Sequence, residues 1–284
     1  MLITGIIEPS WNFVSKSMVK TSQLQDFDIK QSDMIGNVAE SGCLYLIVNE
    51  FIELINNKSY RQAYDLLSQD LKDSHYPNVS SFEAFCKKSL SSKYGKDFEI
   101  LNYKQLNEGK YLCKVRFLDL STSETGIQPQ SDIEDDMIIN INTAGKYSIS
   151  LSGLLNSHKL NISEKTGEIR IAINRINKFY DATALDIEVY NGENKKIDLI
   201  DNKNEAGKMN VIVSYMSPSG GGEHGKSAIF DKYGAFRRTD YSINPKSKSS
   251  FELFFDVKPQ DEVFKLGFNN IRVGNEVRKL ELWR

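Results

Sequence analysis

Cysteine, histidine and proline are scarce in this 284-residue chain, at three, three and six residues. Cys43, Cys86 and Cys113 are too few and too scattered for a disulfide-dense scaffold or a four-cysteine zinc site. His75, His158 and His224 lie far apart, with no H-E-x-x-H or histidine-plus-acid spacing, so no metal ligand and no cofactor is expected. Neither sign of charge is in excess: 36 Lys+Arg against 38 Asp+Glu leave −2. That balance argues against a nucleic-acid partner, which would draw a strongly basic chain. No stretch reaches the ~20 apolar residues of a membrane-spanning helix. With 18 glycines and six prolines the chain is not collagen-like or proline-rich. The 40% hydrophobic and 11% aromatic content is enough for real cores. Its length fits two domains of ~100–200 residues.

Residues 1–40 read as an N-terminal segment and linker. Leu2-Ile3-Thr4-Gly5-Ile6-Ile7 is a short apolar run with neither the basic flank nor the cleavage site of a signal peptide. It is a frayed terminus or first strand, or else the remnant of a membrane anchor that starts upstream of Met1. In the last case Trp11 takes the place of an interfacial aromatic.

From Ser41 the apolar residues recur at steps of three and four. Leu44, Ile47, Val48, Phe51, Leu54 and Ile55 form one helical stripe, which Asn56-Asn57-Lys58 ends. Tyr60, Ala63, Tyr64, Leu67 and Leu71 form a second, and Phe82, Phe85, Cys86 and Leu90 a third. Ser59 with Gln62, and Ser80 with Glu83, have capping-box spacing. After Gly95 the period drops to two. Phe98 and Ile100 open a strand, and Tyr111, Cys113, Val115 and Phe117 alternate with Leu112, Lys114, Arg116 and Leu118. A polar loop is expected over about 121–136, then strands at 137–141 and 147–151. Helices followed by strands predict an α+β domain with an antiparallel sheet over 41–155. The strand signal lapses around 152–166, where the boundary is placed. Short alternating strands then run from Ile169 to Trp283, with turns at Asn191-Gly192 and Asn244-Pro245. They predict an all-β sandwich over 156–284.

The segment Ala63-Tyr64-Asp65-Leu66-Leu67-Ser68, the short helix Ser81–Phe85 and the strands from Phe98 to Leu151 resemble the NTF2-like superfamily. The likeness is to its members on the outer face of Gram-positive membranes. Asp186-Ile187-Glu188-Val189-Tyr190-Asn191, Asn244-Pro245 and Ser250–Val257 resemble the Ig-like, telokin-like domains attached to such envelope proteins. The resemblance implies a cone of three helices on a curved antiparallel sheet, plus an Ig-like sandwich. It also implies an extracytoplasmic address at the cell envelope; a cytoplasmic one follows if Met1 is the true start. The lipidated cysteine and the catalytic polar set of NTF2-like enzymes are both missing. A cone-shaped sheet leaves room for a ligand cavity, with Tyr64, Tyr111, Cys113 and Phe117 as the residues to line it.

Gly220-Gly221-Gly222-Glu223-His224-Gly225-Lys226-Ser227 matches the phosphate-binding pattern G-x-x-x-x-G-K-S. That chemistry needs a strand running into the loop and a helix leaving it. The spacer Met216–Ser219 and the early Gly234 deny both, so a connection between strands is expected. Asp132, Glu134, Asp135 and Asp136 lack calcium-loop spacing and read as a solvated loop. The three cysteines read as buried small hydrophobes. Lys226, Lys232, Tyr233, Phe236, Arg237, Arg238 and Tyr241 read as a strand or loop with snorkelling side chains. The function expected is a non-catalytic protein-binding or assembly module, with membrane contact only through a missing anchor. The alternatives are a small-molecule binder or enzyme using the cavity, betrayed by a deep pocket with His75 near an acid, and, more remotely, a nucleotide binder at 220–227.

Overall fold

The computed structural model describes residues 34–90, 95–119, 133–199, 211–231 and 242–284. Of the described residues, strand makes up 57% and helix 20%. Four α-helices come first: α1 (Met34–Asn56), α2 (Tyr60–Asp65), α3 (Gln69–Ser74) and α4 (Val79–Phe85), with a π-helical turn at Cys86–Leu90. Fourteen strands follow, and the antiparallel ladders group them into three sheets.

The long helix α1 buries Leu44, Ile47, Val48, Phe51, Ile52 and Ile55 on one face. It ends where Lys58 takes a left-handed conformation, φ 57°. Asn56 does more than break the helix. Its carboxamide both donates to the Lys96 carbonyl and accepts from the Lys96 amide, each at 2.8 Å, so it docks the start of the sheet on the end of α1. The adjoining Gly95 has φ +94°, and its open face lies against that carboxamide. The expected second helix is cut in two. Leu66 and Ser68 give their backbone bonds to Ile149, and Ser68 then caps α3 by accepting from the Leu71 amide.

The first sheet is a meander in the order β1 (Lys96–Asn107), β2 (Lys110–Asp119), β3 (Ile133–Ile141), β4 (Tyr147–Ser150). Tyr111, Cys113, Val115 and Phe117 face the helices, as their alternation requires. Glu99, Arg116 and Glu134 form an ion-pair row across β1, β2 and β3.

The second sheet holds β5 (Leu154–Thr166), β6 (Ile169–Phe179), β7 (Thr183–Asn191) and β12 (Ser247–Phe255). In the third sheet β13 (Glu262–Val273) lies between β9 (Val211–Ser217) and β14 (Glu276–Trp283), beside the two-residue strands β8 (Ile197–Asp198) and β11 (Ser242–Ile243). One strand belongs to both. In β10 (Gly220–Asp231), residues 220–225 pair with β9 and residues 226–231 with β12, with a register shift between Lys226 and Ala228. A strand that changes sheets at a bulge makes a corner between two layers. At the other side β14 lies alongside β5. Ile171, Ile187, Phe251, Phe255, Leu266 and Phe268 fill the space between.

These sheets bear out a β-sandwich in the second half. The α+β cone is overturned: the chain is mostly β, with three antiparallel sheets rather than three helices on a curved sheet. The cause lies in the packing. Only α1 is long, the second stripe breaks where Leu67 bridges to Ile149, and the third divides between α4 and a π turn. The helical stripes are spent on two partners: the first sheet, and Phe179, Ala182, Ala184 and Phe254 from the sandwich, which join the same core. The lapse at 152–166 is occupied by β5, paired along β6. The expected polar loop also runs too far: Glu134, Asp135 and Asp136 lie in β3, Glu134 paired with Lys114 and Arg116. Neither capping box forms as expected. Ser59 makes no side-chain cap, and the box on α4 is Asn78 with Ser81.

Candidate functional site

The cavity expected inside the helical half is filled. Phe51, Phe82, Phe117, Met137, Ile139 and Ile149 are all fully buried there. A cavity of about 20 Å³ is left, lined by Phe85, Leu90, Phe117, Ile133, Leu151, Ser89 and Asp135. That is room for about one water molecule. Of the four residues predicted to line a ligand pocket, Phe117 alone reaches this wall. Tyr111 and Cys113 are buried in the core. Tyr64 is half-buried; its hydroxyl donates to the Tyr76 carbonyl at 3.0 Å, and the Lys72 ammonium lies over its ring.

A second opening is an open groove of about 400 Å³ at the hairpin ends of the first sheet, bounded by Asn107, Lys110, Asn140, Lys146, Tyr147 and Ser148. Its tyrosine is already engaged, since Tyr147 donates to Glu50. Burial, then that bond, pushes the Tyr147 hydroxyl pKa well up.

The densest polar chemistry lies where the helices meet the sandwich. His75 follows the last residue of α3, and its Nδ1 is 2.7 Å from Ser74 Oγ. Its Nε2 faces Glu252 Oε2 at 3.5 Å. Glu252 Oε1 accepts from Asn177 at 2.7 Å, and Asn177 Oδ1 accepts from Ser157 at 2.7 Å. Arg175 donates to Ser157 Oγ at 3.1 Å and comes within 3.9 Å of Asp73, back on α3. The circuit thus leaves α3 at one end, crosses β12, β6 and β5, and returns to α3. Around it, Phe179 sets its edge against the His75 ring and stacks on Phe254. Burial also drives the pKa of neighbouring Tyr76 far up.

Sequence reasoning named His75 beside an acid as the mark of an enzyme, and this histidine does meet an acid. Serine, histidine and glutamate even stand in line. Yet Ser74 Oγ donates to the Asp70 carbonyl at 2.6 Å, so its proton serves the helix end. Ser74, His75 and Glu252 are all buried, and none of them lines either opening. A nucleophile needs a bound substrate within reach. The arrangement locks two layers together. Asn177, Ser157 and Glu252 had no local signal; they come from three strands, and Glu252 is a lone acid among Phe251, Phe254 and Phe255.

The phosphate-loop pattern is strand β10, which continues past Ser227 to Asp231 as strand and has antiparallel neighbours on both halves. At Gly222 a side chain would begin 2.7 Å from the Tyr215 hydroxyl, so the tyrosine ring, which lies over the strand, would have to move. Arg237, Arg238 and the aromatics beside them lie outside the described residues. Among the described residues no group of three or more His, Cys, Asp or Glu could hold a metal ion, and no helix is long and apolar enough to cross a membrane.

Cys86 and Cys113 are buried, but Cys43 is exposed, because it sits beside the buried stripe of α1 and not on it. Burial raises both inner thiols, that of Cys113 to about 12. Only thiolates attack disulfide reagents. A thiol titration near neutral pH is therefore expected to find one prompt group in the folded protein and three in denaturant. Prompt reaction of all three without denaturant would contradict the burial. No protein-family model, no curated protein and no solved structure matches this chain.

Proposed function

We propose that the chain is a non-catalytic protein-binding or assembly module, acting at the cell envelope through an Ig-like β-sandwich and its exposed faces. The observation that carries this reading is the filled interior: the space between helices and first sheet holds about 20 Å³, too little for a metabolite. Ser74, His75 and Glu252 are engaged in the buried circuit. Large apolar side chains are left outside instead, Leu46 at 67% exposure on α1 and Trp283 at 56% on β14. Tryptophan in particular is enriched at protein interfaces. The envelope address rests on the resemblance of the sandwich segments alone.

Affinity capture from native cells, followed by binding of the purified partner, tests the proposal. A stoichiometric complex weakened at least tenfold by Leu46→Glu or Trp283→Glu is expected. No reproducible macromolecule, together with a metabolite that raises the melting temperature by mass action, would move the function to the open groove. A melting shift with millimolar ATP and Mg²⁺, removed by Lys226→Ala, would instead revive nucleotide binding.

A further inference from the structure

We propose that His75 and Glu252 form a proton-dependent clasp between the helical layer and the β-sandwich, closed when a single proton lies between Nε2 and Oε2. The inference rests on hydrogen-bond direction. Ser74 Oγ lies 2.6 Å from the Asp70 carbonyl, an acceptor only, so the hydroxyl hydrogen points there. Toward His75 the same oxygen is then an acceptor, and Nδ1 at 2.7 Å must be its donor. The proton of a neutral ring therefore sits on Nδ1, and Nε2 presents a bare lone pair. That lone pair faces Glu252 Oε2 at 3.5 Å, and Oε2 has no hydrogen-bond partner.

Two acceptors face one another in a buried site. Glu252 cannot turn away, because Asn177 holds its other oxygen. A proton added at either atom makes one donor and one acceptor. Closure by well under an ångström then gives a charge-assisted bond. Without that proton a carboxylate oxygen stays buried and unpaired, which is costly.

The surrounding charges do not neutralise Glu252. Arg175 on β6 donates to Ser157 and lies within 3.9 Å of Asp73 on α3; its ladder partner on β7 is the acid Asp186. Asp186 also stands directly across from Glu252 on β12. Lys178 on β6 is turned to the Pro259 and Asp261 carbonyls. Tyr76, next to His75, senses Glu252, Cys86 and Asp135, all of which disfavour its ionisation.

Losing the proton as pH rises opens the clasp, and α3 lifts from the second sheet. Hydrogen exchange on the full chain reads this directly. Protection of the Leu71–His75 amides, corrected for intrinsic rates, is expected to fall by up to tenfold per pH unit above the titration. Glu252→Gln is the critical variant. Its carboxamide can accept from Asn177 and donate to bare Nε2, so the contact closes without a proton and the pH dependence disappears. If wild type and Glu252→Gln lose protection in parallel, the proposal fails. Should the variant not fold, imidazole ¹⁵N shifts of the wild type decide alone. A His75 Nε2 that gains its proton over the range where α3 gains protection supports the clasp; one that stays bare throughout, with Glu252 ionised, overturns it.

Discussion

Phe82→Ala is expected to cost about 3–5 kcal/mol, the range for emptying a fully buried aromatic site. Phe82 is completely buried on α4, and its ring meets Phe51 of α1, Tyr64 of α2, and Tyr76 and Phe85 at centroid distances of 5.3–6.4 Å. Three of these helices have six or seven residues, too short to hold their shape in isolation. Their stability comes from the shared core, so collapse around the vacancy would displace helix ends already committed to capping bonds. Urea unfolding followed by far-UV circular dichroism measures the loss. Phe82→Leu keeps most of the volume and should lose less than half as much. The same core contains Phe179 and Phe254 from the sandwich. In a Trp11→Phe background, Trp283 fluorescence on β14 should therefore shift its midpoint together with the circular dichroism. An unchanged midpoint for Phe82→Ala would mean that the helical layer contributes little to the fold.

Much of the sandwich was legible because each strand buries one face. Ile169-Ile171-Ile173, Leu185-Ile187-Val189 and Phe251-Leu253-Phe255 alternate in the sequence and point inward in the structure. Where both faces are polar or exposed the signal fades. β5 carries alternation too weak to read, and Asn161, at φ +56°, falls in a register shift opposite β6 that breaks the period. β10 was hidden for another reason. A glycine run has no side chains from which to read a period, and the partner that explains it, the Tyr215 ring, lies on the neighbouring strand. The helical stripes were real, but periodicity does not say what covers a stripe. The sequence pattern assigned them to one sheet, whereas Phe179 and Phe254 take a share. That tertiary fact removed both the cone and its cavity. The polar circuit was illegible for the same reason: His75 and Glu252 are 177 positions apart, and only the packing of α3 on the second sheet unites them.

Asn191→Ala is expected to lose about 3 kcal/mol or more, although it removes no apolar surface. The Asn191 side chain is fully buried at the end of β7. Its Nδ2 shares its two hydrogens among the carbonyls of Lys195, Ile243 and Asn244 at 2.9–3.0 Å, and its Oδ1 accepts from the Glu193 amide at 3.0 Å. Lys195 leads into β8, and Ile243 closes β11, so one side chain ties the second sheet to the third. Its backbone is meanwhile paired on both sides, to Ile169 and Ser247. Alanine would leave four backbone groups without this partner, at ~1–3 kcal/mol for each that stays buried and unpaired. Asn191→Asp separates polarity from packing. Aspartate has nearly the same shape and can still accept from Glu193, but it offers no donor and sets a carboxylate against three carbonyl oxygens. It should destabilise at least as much as alanine at neutral pH and recover partly in acid, where the protonated carboxyl regains one donor. An aspartate variant as stable as wild type would show that the turn conformation at Asn191-Gly192, rather than the clamp, is what this position supplies.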